Sequence, residues 1–245
     1  ERAGVDDGVG PADGRQERQA LDVGAEAGLA PEPAPDDELL WCHTPRYLDA
    51  VKRFSADPFG FPEFGIGEGG DCPPFAGMHE ASAAVAGGSL RALEAILRGD
   101  VEHAQHPGGG LHHAMPERAS GFCIYDDPAL AIARARREGL RVLYIDLDVH
   151  HGDGVQALFW DDPGVLTFSI HESGRYLFPG TGEATELGEG MAAGTAVNVP
   201  LHARMHCILS IRKEHDTDPI RAADARPPTA SGWGPTPVRR WSICT

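Results

Sequence analysis

The sequence predicts an α/β fold in which an open parallel sheet carries helices on both faces. Three observations predict it. Helical and extended stretches alternate through residues 39–201. The extended stretches "LRVLYIDLDV" (140–149) and "GVLTFSIH" (164–171) are rich in unbroken apolar runs, the pattern of strands buried on both faces. Five ionisable residues, Asp146, Asp148, His150, His151 and Asp153, crowd the end of the first of them, and open parallel sheets bind ligands beyond the carboxyl ends of their strands.

In chain order, residues 1–38 come first, with eleven acids, three arginines and no aromatic residue. They are rich in Gly, Ala, Pro and Asp with little periodicity, the composition of a disordered acidic segment. "TPRYLDAVKRF" (44–54) spaces Tyr47, Leu48, Val51 and Phe54 as a helix after a Thr cap. "MHEASAAVAGGSLRALEAILRG" (78–99) is long and apolar enough for a substantial buried helix. "PALAIARARREG" (128–139) opens on Pro and closes on Gly, as helices do. The two strands follow, and residues 39–201 read as one globular unit. Residues 202–245 carry seven basic against four acidic residues, and four prolines between 227 and 237 break any long element. They read as a poorly ordered tail.

Composition narrows the function. A formal charge of −16 over 245 residues argues against a nucleic-acid surface, which needs clustered Lys and Arg. It leaves room for a cationic substrate. Five cysteines, an odd number without a CxxC pair, suit a reducing cytoplasm. No apolar stretch approaches the roughly 18 residues of a membrane span. No signal peptide is visible, although the chain opens on Glu1.

The charged strand end raises a chemical question. Strand alternation places Asp146, Asp148 and His150 on one face and Ile145, Leu147 and Val149 packing on the other. Carboxylate and imidazole on one face are the ligands of a zinc site. The plainer alternative is a helix start at Gly152-Asp153-Gly154 with the acids as caps. A second cluster, "PGGGLHHA", carries His112 and His113 behind three glycines. Such a turn sends its two side chains to opposite sides and lets another backbone or a ligand come close. A metal site alone needs no four histidines, whereas acid–base chemistry does if each imidazole is steadied by an acid. Two solvated loop histidines are the alternative.

"GGGLHHA", "SGFCIYDDPALAI", "VLYIDLDVHHGDGVQALFWDDPGVLTFSIHESGRYLFPGTG" and "AVNVPL" together resemble the histone deacetylase family. The resemblance is strongest to its bacterial acetoin-utilisation-type branch, within the arginase/deacetylase superfamily, and runs over residues 39–201. It implies a three-layer open sheet. Asp148 and His150 match two of the family's three zinc ligands. His112 and His113 match its tandem histidines, with His113 as general base and acid. Asp146 matches the acid that orients His112, and Asp153 the one that orients His113. Phe122 and Phe178 match the walls of a narrow acyl-lysine tunnel, with Gly121 beside them, and Asp71 matches a rim acid that grips substrate backbone. Asp146, Asp148, His150, Ser169 and Ile170 match a potassium site. Read alone, the two phenylalanines would be core aromatics and Asp71 a loop acid.

The departures from the family lie at both ends. Beyond "NVPL" neither the third zinc Asp nor the oxyanion Tyr of the family is present, and no tyrosine follows Tyr176. Asp216 and Asp218 are acids whose context does not match the ligand turn. The fold is therefore expected to be incomplete on its C-terminal side, with truncated or frameshifted ends. Three readings follow. The first is a zinc-dependent deacetylase of acetyl-lysine in a protein, cytoplasmic, without nucleic acid or membrane as partner, and with iron able to replace zinc. The second is an acetylpolyamine amidohydrolase aided by a rim acid such as Glu172. The third is an inactive remnant, since losing an oxyanion donor alone costs about 10²–10³-fold in turnover. A two-manganese arginase centre fits "HH" and "SGFC" less well.

Overall fold

Each main helix begins or ends where its sequence supplies what a helix terminus needs. The computed structural model describes residues 32–67 and 69–202, together with the backbone of Ile243–Cys244. In chain order the elements are α1 (Asp36–Leu39), α2 (Pro45–Ala56), α3 (Met78–Arg98), β1 (Ala104–Gln105), α4 (Asp127–Arg137), β2 (Val142–Asp146), α5 (Asp153–Leu158), β3 (Val165–Glu172), β4 (Ala196–Leu201) and β5 (Ile243–Cys244). The Thr44 hydroxyl accepts from Tyr47 N–H at 3.3 Å ahead of Pro45. The Asp126 carboxylate accepts from Ala129 N–H at 2.8 Å, with Pro128 in the first turn of α4. α3 stops at Gly99, whose φ of 79° belongs to the left-handed region where glycine carries no penalty.

The fold is α/β with a parallel sheet, as the sequence predicts. β2, β3 and β4 lie side by side, all parallel. β1 pairs in parallel with β5. Register sets Asp146 beside Ser169 and Ser169 beside Asn198. A polar row thus runs from Asp146 at the end of β2 through Ser169 of β3 to Asn198 of β4. The core gathers Leu39, Tyr47, Val51, Met78, Leu90, Tyr125 and Leu130, all buried, between α2, α3 and α4. Tyr47 keeps its hydroxyl satisfied there by donating to Ile124 O at 2.6 Å. Cys42, Cys72 and Cys123 are free thiols inside the protein.

Three expectations change. Strand β2 ends at Asp146, so Asp148 and His150 do not continue its alternation. Side chains take over the backbone's partners at that point: Asp146 Oδ1 accepts from Asp148 N–H at 3.0 Å and Asp148 Oδ1 from His150 N–H at 2.7 Å, turns that compete with a ladder. The second change concerns the apolar row. Val142 and Tyr144 pack toward α4 and the core, but Leu143, Ile145, Leu147 and Val149 remain 57, 55, 58 and 53% exposed. The described helices cover the opposite side of β2. The third is at the start. Residues 32–38, assigned by composition to the acidic segment, lie along α3, with Ala34 N–H donating to Ala83 O at 2.8 Å. Gly87 permits this approach, because a Cβ there would overlap Glu32 O. Residues 1–31 and 203–242, including Asp216 and Asp218, fall outside the described residues.

His43 shows how tightly the core is specified. Its Nδ1–H donates to Met115 O at 3.1 Å, and its Nε2 accepts from Asp126 N–H at 3.1 Å. Only the neutral ring satisfies both, and burial holds its pKa down to about 4. The unfolded chain takes up this proton near pH 6.5, the folded chain only near 4. Stability contributed by neutral His43 is therefore complete above pH 6.5 and is lost as pH falls toward 4, by roughly 2–4 kcal/mol. Urea midpoints measured from pH 7 to pH 4 should fall more steeply for the wild type than for His43→Gln. Parallel slopes would exclude this residue as the cause.

Candidate active site

The tandem histidines sit in the loop between β1 and α4, and the carboxylates that meet them come from the sheet and the helix after it. His112 Nδ1 lies 2.7 Å from Asp146 Oδ2 at the end of β2. His113 Nδ1 lies 2.6 Å from Asp153 Oδ1, the first residue of α5. All four side chains are buried. With a carboxylate on each Nδ1, both rings carry their hydrogen there and present Nε2 as the remaining nitrogen. The rings do not go to opposite sides, as the turn alone predicted; their centroids are 4.1 Å apart. The carboxylates pull them to the same end of the sheet.

Of the helix reading of "GDG", the start holds and the acid cap does not. A helix does start at Asp153, but the Asp153 side chain makes no cap and goes to His113 instead. Gly152 and Gly154 are needed for contact rather than for flexibility. A Cβ on Gly152 would overlap Asp146 Oδ2, and one on Gly154 would press on the carbonyl oxygens of Ala114 and His112. Gly154 N–H donates to His112 O at 3.0 Å, which ties the histidine backbone to the start of α5.

Electrostatics bind the first pair. Burial alone would lower the His112 pKa, but the Asp146 hydrogen bond and the charges of Asp146, Asp148 and Asp153 outweigh it and raise the ring above its ordinary value. Burial would likewise raise Asp146, yet His112, the Tyr144 hydroxyl at 2.8 Å and Asp148 N–H together hold it below the usual carboxylate range.

Asp148 and His150 follow the end of β2, and the His150 ring meets that of His113 edge-on at 5.8 Å. His150 Nδ1 is 3.0 Å from Asp148 Oδ1, and both side chains are partly open to solvent. A carboxylate and an imidazole are donors that zinc accepts, so the pair fits as part of a metal site. Among the described residues, no group of three or more His, Cys, Asp or Glu side chains is placed to share an ion. Any further donor would come from elsewhere.

Of the other sequence-predicted residues, Phe178 and Gly121 lie against the His113 ring. Phe178 meets the His113 ring edge-on at 4.9 Å. Gly121 lies against that ring so closely that a Cβ would overlap it, and its N–H donates to Asp71 Oδ2 at 2.8 Å. Phe122 follows with φ of 65°, an unusual value for a bulky residue, and is 77% exposed. Ser169 sits beside Asp146 but turns its hydroxyl to His171 Nδ1 at 2.8 Å. Ile170, next in β3, is half-buried.

Sequence reasoning missed what lies under the Phe178 loop. His151, in the charged cluster but given no role, accepts from the Thr181 hydroxyl at Nδ1 (2.8 Å) and donates from Nε2 to Gln156 Oε1 at 3.1 Å. Gln156 Nε2 donates to Glu186 Oε2 at 2.6 Å, and Glu186 Oε1 accepts from the Gly182 and Glu183 amides. His171 Nε2–H closes the set on Gly182 O at 2.9 Å. Burial, reinforced by neighbouring His171, holds the His151 pKa down, in keeping with a ring that accepts at Nδ1 and donates at Nε2. Its only trace in the sequence is an excess of polar residues in apolar surroundings.

Comparison with known proteins agrees with this geometry. The pattern of the family described as "Histone deacetylase domain" matches residues 14–213, reaching further at both ends than the region 39–201. The Acetoin utilization protein AcuC of Bacillus subtilis (strain 168) is 49% identical over 179 residues, 71% of this chain and 46% of that protein. The protein of the same name from Staphylococcus xylosus is 42% identical over 177 residues. The chain thus spans about half the length of these relatives. Among solved structures, an HDAC homolog from Aquifex aeolicus superposes with a TM-score of 0.63 at 39% identity, over 70% of this chain and 47% of that one. An HDAC homolog complexed with SAHA gives a TM-score of 0.63 at 36% identity, over 69% of this chain and 46% of that one. With its paired histidines, their acids and its parallel sheet, this chain belongs to the histone deacetylase family.

Proposed function

We propose that this chain carries the acid–base half of a zinc-dependent deacetylase that hydrolyses the acetyl-lysine amide of a protein, of the acetoin-utilisation type and acting in the cytoplasm. One observation carries the reading: two buried imidazoles side by side, each held through Nδ1 by its own buried carboxylate. Chains of relatives at 42–49% identity named for acetoin utilization support the branch. Among the described residues, no helix is long and apolar enough to cross a membrane.

His113 is the proton carrier in this reading. Its Nε2 takes a proton from the attacking water and returns it to the leaving lysine amine, while Asp153 holds the ring through Nδ1 and stabilises the cation that forms between the two steps. His112, raised by Asp146, stays protonated to higher pH and offers a donor beside the developing charge. Asp148 and His150, with a donor from outside the described residues, would hold zinc, which supplies Lewis-acid polarisation of the amide carbonyl. Phe122, Phe178 and Gly121 would line the acyl chain's path, and Asp71 would hold the substrate backbone from the rim. Potassium bound by Asp146, Ser169, Ile170 and the neighbouring carbonyls would be structural.

Two measurements check these assignments. Hydrolysis of an acetyl-lysine peptide in the presence of zinc should exceed that of acetylspermidine and be inhibited by SAHA. His113→Gln should lower it by roughly 10²–10⁴-fold. A preference for acetylspermidine would point to the polyamine reaction, and absence of both turnover and SAHA binding would make the chain non-catalytic. Independently of activity, Asp146→Asn should lower the pH at which His112 titrates, followed by NMR of ¹⁵N-histidine-labelled protein. A titration left in place would remove Asp146 as the source of the raised value.

A further inference from the structure

Two of the three glycines ahead of His112, Gly109 and Gly110, close around a carboxylate. Asp127, the first residue of α4, is wholly buried. Its Oδ1 accepts from Leu111 N–H at 2.8 Å, and its Oδ2 accepts from Gly110 N–H at 3.2 Å and from the Ser89 hydroxyl of α3. A Cβ on Gly109 would overlap Asp127 Oδ2, and Gly110 has φ of 91°. His106 anchors the start of the same loop through Val85 O at 3.1 Å. The loop then turns tightly, with His112 N–H donating to Gly110 O at 2.9 Å.

We infer that Asp127 is the positioning residue of the tandem histidines: it grips the two amides before His112, as the start of α5 grips the His112 carbonyl after it. The inference rests on the reading of His112 and His113 as the acid–base pair. Asp127 touches neither ring and acts through the backbone alone. Each Nδ1–H can meet its carboxylate at 2.6–2.7 Å only if the main chain between the two grips is fixed. A long loop lacks this precision without an anchor, and a misplacement of about 1 Å can cost 10²-fold in rate. The rigidity comes from two amide donors converging on one buried acceptor. An asparagine keeps the size but turns a donor toward groups that already donate.

The test reads geometry directly. In ¹⁵N-histidine-labelled wild-type protein, the Nδ1–H protons of His112 and His113, bonded to buried carboxylates, should appear as two slowly exchanging downfield resonances. Asp127→Asn should displace or abolish both at a temperature well below its melting point. Gly109→Ala, which presses on the same carboxylate from the loop side, should do the same and decides the matter if Asp127→Asn does not fold. Ser89→Ala, which removes a donor to Asp127 without touching the loop, should leave both resonances in place. Where turnover is measurable, kcat should fall roughly 10–100-fold at unchanged KM. Folded Asp127→Asn or Gly109→Ala with both resonances unmoved would overturn the inference. Absence of the resonances from the wild type would instead overturn the acid–base pair itself.

Discussion

The end of β2 is governed by one constraint: ionisable groups removed from water must satisfy each other. His112, His113, Asp146 and Asp153 are all buried within one small region. An isolated buried charge costs several kcal/mol, and a half-satisfied network costs more than an apolar core would. The pairing His112–Asp146 and His113–Asp153 meets that cost only if three separate backbone segments, the histidine loop, the end of β2 and the start of α5, arrive in register. Much of the local structure follows from this. Gly152 clears space for Asp146, Gly121 for the His113 ring and Gly154 for the carbonyls of the histidine loop. These glycines are contact surfaces, and replacing any of them would separate a ring from its acid.

The same constraint explains why so much polar structure lies beneath the site. A carboxylate with only one partner would be loosely held, so Asp146 also receives the Tyr144 hydroxyl and the Asp148 amide. Asp126, at the cap of α4, shows the contrary case. Its carboxyl is fully buried, its Oδ2 has no hydrogen-bond partner, and burial raises its pKa well above the usual range. Burial thus pushes Asp126 up while donors pull Asp146 down, and how well each buried carboxyl is supplied with donors is what separates the two.

The sequence made the pieces of the site legible and left their assembly obscure. The strand VLYID, the helix ends at Thr44, Pro128 and Gly99, and the acid beside each histidine were readable because each depends on local chemistry or on a long, ordered motif. The end of β2 was not, because side chains of Asp146 and Asp148 captured amides that apolar patterning assigned to the ladder. Nor was the direction of the two rings. Adjacent residues in a turn diverge by default, and only carboxylates distant in sequence bring them side by side. The network through His151, Gln156 and Glu186 had the least signal, since buried polar residues look like surface ones until their partners are known.

The row on β2 that no described helix covers ties stability to function more closely than its distance from the site suggests. Leu143 and Ile145 alternate with Val142, Tyr144 and Asp146 in a single strand, so whatever sits against the row also sets how firmly Asp146 is held. Burying side chains of this size stabilises by about 1.5–3 kcal/mol each, an amount comparable to the hydrogen bonds that fix Asp146 from the other side. A strand packed on one face can shift or tilt at modest cost, and a small tilt of β2 would lengthen the Asp146–His112 bond before it disturbed anything in the helical core. The geometry of the acid–base pair is therefore the part of the molecule most sensitive to what covers Leu143, Ile145, Leu147 and Val149. Cover on that face would act on the site through the strand's own rigidity rather than through any contact with the histidines.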